Sequence, residues 1–344
     1  MLSDNDTLKT SIECYEHCLF SSITIGKKWS DLCYKLAAEK DPYGKEYFWI
    51  SGVLLVIFGI IGLLGNIFTI VVLCQPKMRK SIFYNLLLAL ACFDALFILS
   101  YGISYAYWSL ACPVNVTVYW LFYPAREICF VGSIYMTVAI SLERYLGICH
   151  PHLQFSRRAL VYVLPVVFIS FAFTFPKFLE NKYFFVNGTL VLEHQDFRKT
   201  KHYKNTYRLW ASVIFKTIIP LVSLLFLNGS IIAVIKKTTH PQRTQSRPEG
   251  NSTKILFCIV FMFLILHVPR VAKKYGMFYD RMDMTYYRWA IPISGLALII
   301  NSSVNFIIYA MVGRNFREEF FQVFKYGKDP ALNTISSECG EDCI

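Results

Sequence analysis

Trp49-Ile50-Ser51-Gly52-Val53-Leu54-Leu55-Val56-Ile57-Phe58-Gly59-Ile60-Ile61-Gly62-Leu63-Leu64-Gly65-Asn66-Ile67-Phe68-Thr69-Ile70-Val71-Val72-Leu73-Cys74 is a run of 26 residues without a charge. Wound as a helix it is about 39 Å long, more than the ~30 Å hydrocarbon core of a bilayer. Apolar residues fall on every face, so the helix has no side to offer water. The stretch reads as a membrane span, and the question becomes how many more follow.

Six do. Phe83 to about Trp108 is broken only by Asp94, and about Tyr119 to Cys149 carries charge only near its ends, at Arg126-Glu127 and Glu143-Arg144. These two pairs are 17 residues apart, about 25 Å along a helix, so they lie near opposite membrane faces. Ala159–Pro176, Leu209–Ile235 with Lys216, a block from Ile255 through His267 and Pro269, and Trp289–Gly313 complete the set. The fold class is an all-α membrane protein, a seven-transmembrane-helix bundle over residues 49–313. An N-terminal tail precedes it over 1–48, and 314–344 follow.

Of the 344 residues, 55% are hydrophobic and 17% charged, too few charges for a water-soluble surface, which carries about a quarter. The net charge of +12 sits in the connections, where lipid headgroups and water solvate it, so no nucleic-acid partner is implied. Met1–Thr10 is polar and has no basic start leading into an apolar run, so the first span is expected to serve as its own insertion signal.

Orientation draws on conflicting signs. With the N-terminus outside, the outer segments hold 18 Lys and Arg against 14 inside, against the positive-inside trend. The glycosylation triplets at Asn5, Asn115 and Asn187 fall outside together, as do Cys14, Cys18, Cys33 and Cys112, an even set for oxidising chemistry with three pairings open. A fourth triplet, at Asn251, falls on the other side. The N-terminus is read as extracellular, and a bridge to Cys112 is expected to staple the outer face.

Ionisable residues inside spans are costly and mark function by default. Asp94 lies mid-span, with Asn66, Ser133, Asn301, Ser302 and Asn305 at similar depth, the oxygens that a desolvated carboxylate or a small cation needs. Near the outer boundary, Arg126, Glu127, Lys216, His267 and Arg270 are expected to line a ligand pocket, with Lys273 and Lys274 at its rim. The outer segments have five more basic than acidic residues, which favours ligands carrying acidic groups. Glu127 and Glu180 are the carboxylates on offer to a cationic ligand.

Gly65-Asn66, Leu90-Ala91-Cys92-Phe93-Asp94, Ser141-Leu142-Glu143-Arg144-Tyr145, Pro220, Pro269 and Asn301-Ser302-Ser303-Val304-Asn305 with Tyr309 occur in the order and spacing of the rhodopsin-like G-protein-coupled receptors. Gly313–Phe321 resembles their short amphipathic helix on the inner leaflet. Within that superfamily, Tyr135–Pro151, Phe175–Glu180 and His267-Val268-Pro269-Arg270 resemble the invertebrate FMRFamide-type neuropeptide receptors.

The resemblance implies a plasma-membrane receptor that binds an extracellular ligand, a neuropeptide, and activates an intracellular heterotrimeric G protein. It implies that Glu143, Arg144 and Tyr145 couple to that G protein, with Arg144 latched to Glu143 at rest, and that Asn305 and Tyr309 act in activation. Asp94, Ser133, Asn301, Ser302 and Asn305 resemble a sodium pocket, so an allosteric sodium ion is the one cofactor allowed for. The chain also departs from the pattern. Tyr119 stands where span three usually has a disulfide cysteine, the loop from Lys177 to Tyr207 has no cysteine, His267 replaces a common tryptophan, and Phe306 follows Asn305 in place of proline.

Two other readings stay open on the residues: a chemosensory receptor for a small anion, favoured by the basic pocket, and a transporter, which wants internal repeats that are not apparent. No phosphate loop, nucleophile elbow or metal-ligand spacing supports an enzyme.

Overall fold

The computed structural model describes residues 48–109, 116–153, 158–186, 189–196, 200–237, 249–278 and 284–326. Asn5, Asn115, Asn187 and the four outer cysteines lie outside them. Among the described residues seven helices are long and apolar enough to cross a membrane. They are α1 (Leu55–Leu73, preceded by a π-helical start from Phe48), α2 (Ile82–Ser109), α3 (Val116–Cys149), α4 (Leu160–Phe178), α5 (Ile219–Lys237), α6 (Glu249–Phe278) and α7 (Met284–Val312). An eighth helix, α8 (Arg314–Tyr326), follows directly.

α3 is the axis of the bundle. It packs on α2, α4 and α5 and reaches α6, while α7 closes the ring against α1, α2 and α6. Of its most apolar window 67% is buried, against 22% for α4 on the rim. Lipid tails are as apolar as leucine, so helix contacts here depend on close packing and small residues more than on the hydrophobic effect. Gly62 lies against Ser303 of α7 and Gly132 against the ring of Phe93, with no space for a Cβ at either crossing.

The chain is not wholly helical. Asn181–Val186 (β1) and Thr189–His194 (β2) form an antiparallel hairpin between α4 and α5, with Asn181 opposite His194 and Val186 opposite Thr189. The sequence reading treated this stretch as plain loop. β-branched and aromatic residues flank Asn187-Gly188, the commonest short hairpin signal. α4 also extends past Pro176, where the sequence reading ended it, and this brings Lys177 into the helix.

The entry to α5 departs from α geometry. Lys204–Ala211 and Ile214–Ile218 are π-helical, a rare form concentrated at functional sites. Pro220 lies just beyond and has no N–H to donate. In α register that orphans the carbonyl of Lys216, and in π register that of Phe215. Both are taken up by other spans: Arg270 Nη1 donates to Lys216 O at 3.1 Å and Tyr135 Oη to Phe215 O at 2.8 Å.

Candidate functional site

The outer half of the bundle is organised around one carboxylate. Glu127 Oε2 accepts from Lys216 Nζ, and its Oε1 faces Lys177 Nζ at 3.5 Å. The side chains of Lys216 and Lys177 are 5% and 14% exposed, so this is a buried three-membered ion cluster joining spans three, four and five. A buried ammonium without a partner is costly, and one carboxylate serves two. Phe130, a turn below Glu127, carries the rest of the group. Arg270 Cζ lies 4.8 Å and Lys216 Nζ 5.8 Å from its ring centroid, and His267 stacks on it at 6.2 Å. His267 Nδ1 donates to Phe263 O at 3.0 Å, which leaves Nε2 a buried acceptor with no hydrogen-bond partner. Arg126 turns to the other side, over Tyr101 and Tyr123.

These positions correct the sequence reading. Glu127 is not a vacant carboxylate, because two lysines hold it. Neither is Glu180, which is fully buried. Its carboxylate accepts from Tyr123 Oη of α3 at 3.1 Å and Tyr203 Oη at 2.9 Å, and its backbone carbonyl accepts from Gln195 N at 3.0 Å. Span three, the far end of the hairpin and the turn that leads into span five thus converge on Glu180, which provides a non-covalent tie where the loop has no cysteine. Burial, and then the Glu180 carboxylate, holds the Tyr203 phenol well above its ordinary range, so it stays a donor. Lys177, Tyr123, Phe130 and Tyr203 escaped the sequence reading. Lys177 adjoins a proline and passed for a loop residue, and the others are ordinary aromatics in an aromatic-rich chain.

At mid-depth, Asp94 is fully buried. Ser133 Oγ donates to Oδ1 at 2.6 Å and Asn305 Nδ2 to Oδ2 at 2.7 Å, with Ser302 beside the same carboxylate. Asn301, expected in the same group, is half-buried and makes no bond to Asp94. Asn66 instead ties α1 to α7, donating to Gly62 O and Ser302 O, each at 2.8 Å.

At the inner end of α3, Arg144 grips its neighbour Glu143 through both edges, Nε to Oε2 at 2.5 Å and Nη2 to Oε1 at 2.6 Å. Its guanidinium lies 4.9 Å from the Phe83 ring centroid. Tyr145 pairs with His150 at 3.0 Å. Tyr309 is buried with its hydroxyl unpartnered and its ring 5.6 Å from Phe316 of α8. Phe306, in the place of a proline, packs on Phe68, Phe316 and Phe320 at 6.0 to 6.2 Å, so aromatic contact locks α7 to α1 and α8.

Residues 65–309 match the model of the seven-transmembrane receptors of the rhodopsin family. The chain belongs to that family. The receptor is 31% identical over 324 residues to the FMRFamide receptor of Drosophila melanogaster, a match that covers 86% of this chain and 57% of the relative. It is 24% identical over 292 residues to an FMRFamide peptide receptor of Caenorhabditis elegans, covering 78% and 67%. The human B1 bradykinin receptor is 26% identical over 309 residues, covering 80% and 82%. The receptor therefore spans little more than half the length of the fly relative.

Within the family frame, α8 is fixed by the end of α7. Gly313 packs so closely on the Tyr309 carbonyl that a Cβ there would collide with it, and Arg317 Nη1 caps the carbonyls of Met311 and Ala310 at 2.5 and 3.3 Å. Phe316 and Phe320 turn inward, while Arg314 and Glu318 pair outward at 2.8 Å. That hydrogen bond holds the Glu318 carboxyl below its ordinary range.

Proposed function

We propose that this receptor resides in the plasma membrane with its N-terminus outside, binds an extracellular neuropeptide of the FMRFamide class, and activates an intracellular heterotrimeric G protein. The supporting observation is a single helix with chemistry at both ends. α3 bears Glu127, where spans three, four and five meet through ion pairs, and 17 residues on it bears Arg144, clasped by Glu143. A ligand that enters the outer cluster competes for contacts that hold spans five and six to α3 and to each other: Lys216 on Glu127, Arg270 over Phe130, and Arg270 on the freed Lys216 carbonyl. Binding that favours a shifted α5–α6 arrangement then biases the inner face, where Arg144 leaves Glu143 for the G protein. The names of the fly and worm relatives supply the peptide class.

Asp94 deepens this reading as a sodium site. Its carboxylate, the hydroxyls of Ser133 and Ser302 and the side-chain carbonyl of Asn305 supply hard oxygens around one buried charge, the chemistry a small alkali cation takes. Sodium held there would favour the resting arrangement.

The test is nucleotide exchange on a purified G protein. Amidated peptides ending in Arg-Phe-amide should accelerate it with wild-type receptor. Arg144→Ala should abolish the effect while peptide binding and surface delivery persist. Exchange by the alanine variant at wild-type rate would refute the coupling role, and a full panel without effect on wild type would refute the peptide class.

A further inference from the structure

The outer cluster contains more positive charge than its carboxylates balance: Lys177, Lys216, Arg270 and Lys273 face Glu127 and, beside Lys177, Glu180. Glu127 is shared by Lys177 and Lys216. Arg270, 7% exposed, and Lys273, one turn further along α6, have no carboxylate within 4 Å among the described residues. Lys273 nevertheless lies within electrostatic reach of Arg126, Arg270 and Glu127. Like charges gathered in a low-dielectric site repel, and an anion joining them relieves that repulsion.

Arg270 is also pre-positioned. One nitrogen, Nη1, is anchored on the carbonyl that Pro220 leaves free, and the guanidinium plane lies over Phe130. A guanidinium has five N–H donors in a flat fork. Among the described residues no other hydrogen bond engages this one. A held guanidinium with an open edge is the geometry that takes a carboxylate through two parallel hydrogen bonds.

We propose that Arg270, with Lys273 beside it, is the subsite for a carboxylate of the ligand. This rests on the peptide reading above and refines it: the preferred peptide carries a negative group, on an acidic side chain or at a free C-terminus, besides its arginine. The same subsite accounts for a basic cluster in a receptor whose relatives are named for a cationic peptide.

Four probes separate the sources: Phe-Met-Arg-Phe-amide, the same peptide as free acid, and the amide extended at its N-terminus by Asp or by Asn. Half-maximal concentrations for nucleotide exchange are read on full-length receptor. With wild type, the Asp peptide should outperform the Asn peptide, or the free acid the amide, by about tenfold or more. Whichever gain is seen identifies the source. Arg270→Gln should erase the gain and Lys273→Gln should reduce it, each read as the ratio of half-maximal concentrations within a peptide pair on the same variant, so that any change common to both peptides cancels. Equal potency within both pairs on wild type, or a gain that survives Arg270→Gln, overturns the proposal. If no probe acts on wild type, the peptide reading falls. The subsite is then decided by thermal stability of the purified receptor in glutarate against chloride at equal ionic strength. A rise that Arg270→Gln abolishes sustains it, and no rise refutes it.

Discussion

Replacing Glu127 by glutamine should destabilise the receptor before it spoils any ligand contact. The carboxylate sits between Lys216 and Lys177, whose side chains are 5% and 14% exposed. Glutamine is nearly isosteric and its carbonyl still accepts one hydrogen bond, so packing is spared and the loss is electrostatic. Removing one partner of a buried pair costs about 3 to 5 kcal/mol, and here a single change strands two ammonium groups. At about 1.8 °C per kcal/mol for a bundle of this size, the apparent melting temperature in detergent should fall by about 5 to 9 °C. The double variant Glu127→Gln with Lys216→Met removes one stranded charge along with its partner and should recover much of the loss, because a buried pair exchanged for apolar groups is often neutral. A fluorescence melting assay on purified single and double variants reads both. Unchanged stability in Glu127→Gln, or a double variant no more stable than the single, would show that the carboxylate is a solvated group awaiting a ligand cation.

Three further perturbations probe other levels of the structure. Asp94→Asn should remove any sodium dependence of agonist affinity, measured as competition binding in sodium against potassium salts, and an intact sodium effect would leave Asp94 as helix glue alone. Gly132→Leu forces a side chain into the Phe93 ring at the crossing next to Asp94 and should cost about 1 to 3 kcal/mol, seen as a lower melting temperature and lower surface yield; wild-type values would mean the α2–α3 interface is loose. Tyr203 has a raised phenol, so its contribution is complete below the unfolded value of about 10 and is lost as pH climbs from there towards the folded value. Melting temperature followed from about pH 8 to 11.5 should fall more steeply for wild type than for Tyr203→Phe, and parallel curves would dissociate Tyr203 from Glu180.

The primary sequence was sufficient for the architecture. Seven apolar blocks, the longest without a charge over 26 residues, read as spanning helices, because a bilayer accepts only helices or closed barrels and barrel strands are far shorter and alternate in polarity. The inner latch was legible for the same local reason: Glu143 and Arg144 are neighbours in the chain, and their pairing needs no fold. Pro220, too, announces a broken helix from its ring alone.

The tertiary structure decided who uses what those local rules leave over. Sequence proximity says nothing of Lys216 meeting Glu127 across 89 positions, of Asn305 reaching Asp94 across 211, or of Arg270 claiming the carbonyl that Pro220 orphans. It listed Glu127 and Glu180 as carboxylates free for a ligand, whereas lysines hold the first and tyrosine hydroxyls bind the second. The reason is physical. The membrane fixes each helix by a one-dimensional rule of length and polarity, but a buried charge is satisfied in three dimensions, by whichever neighbour the packing of α3 against the other spans brings within reach.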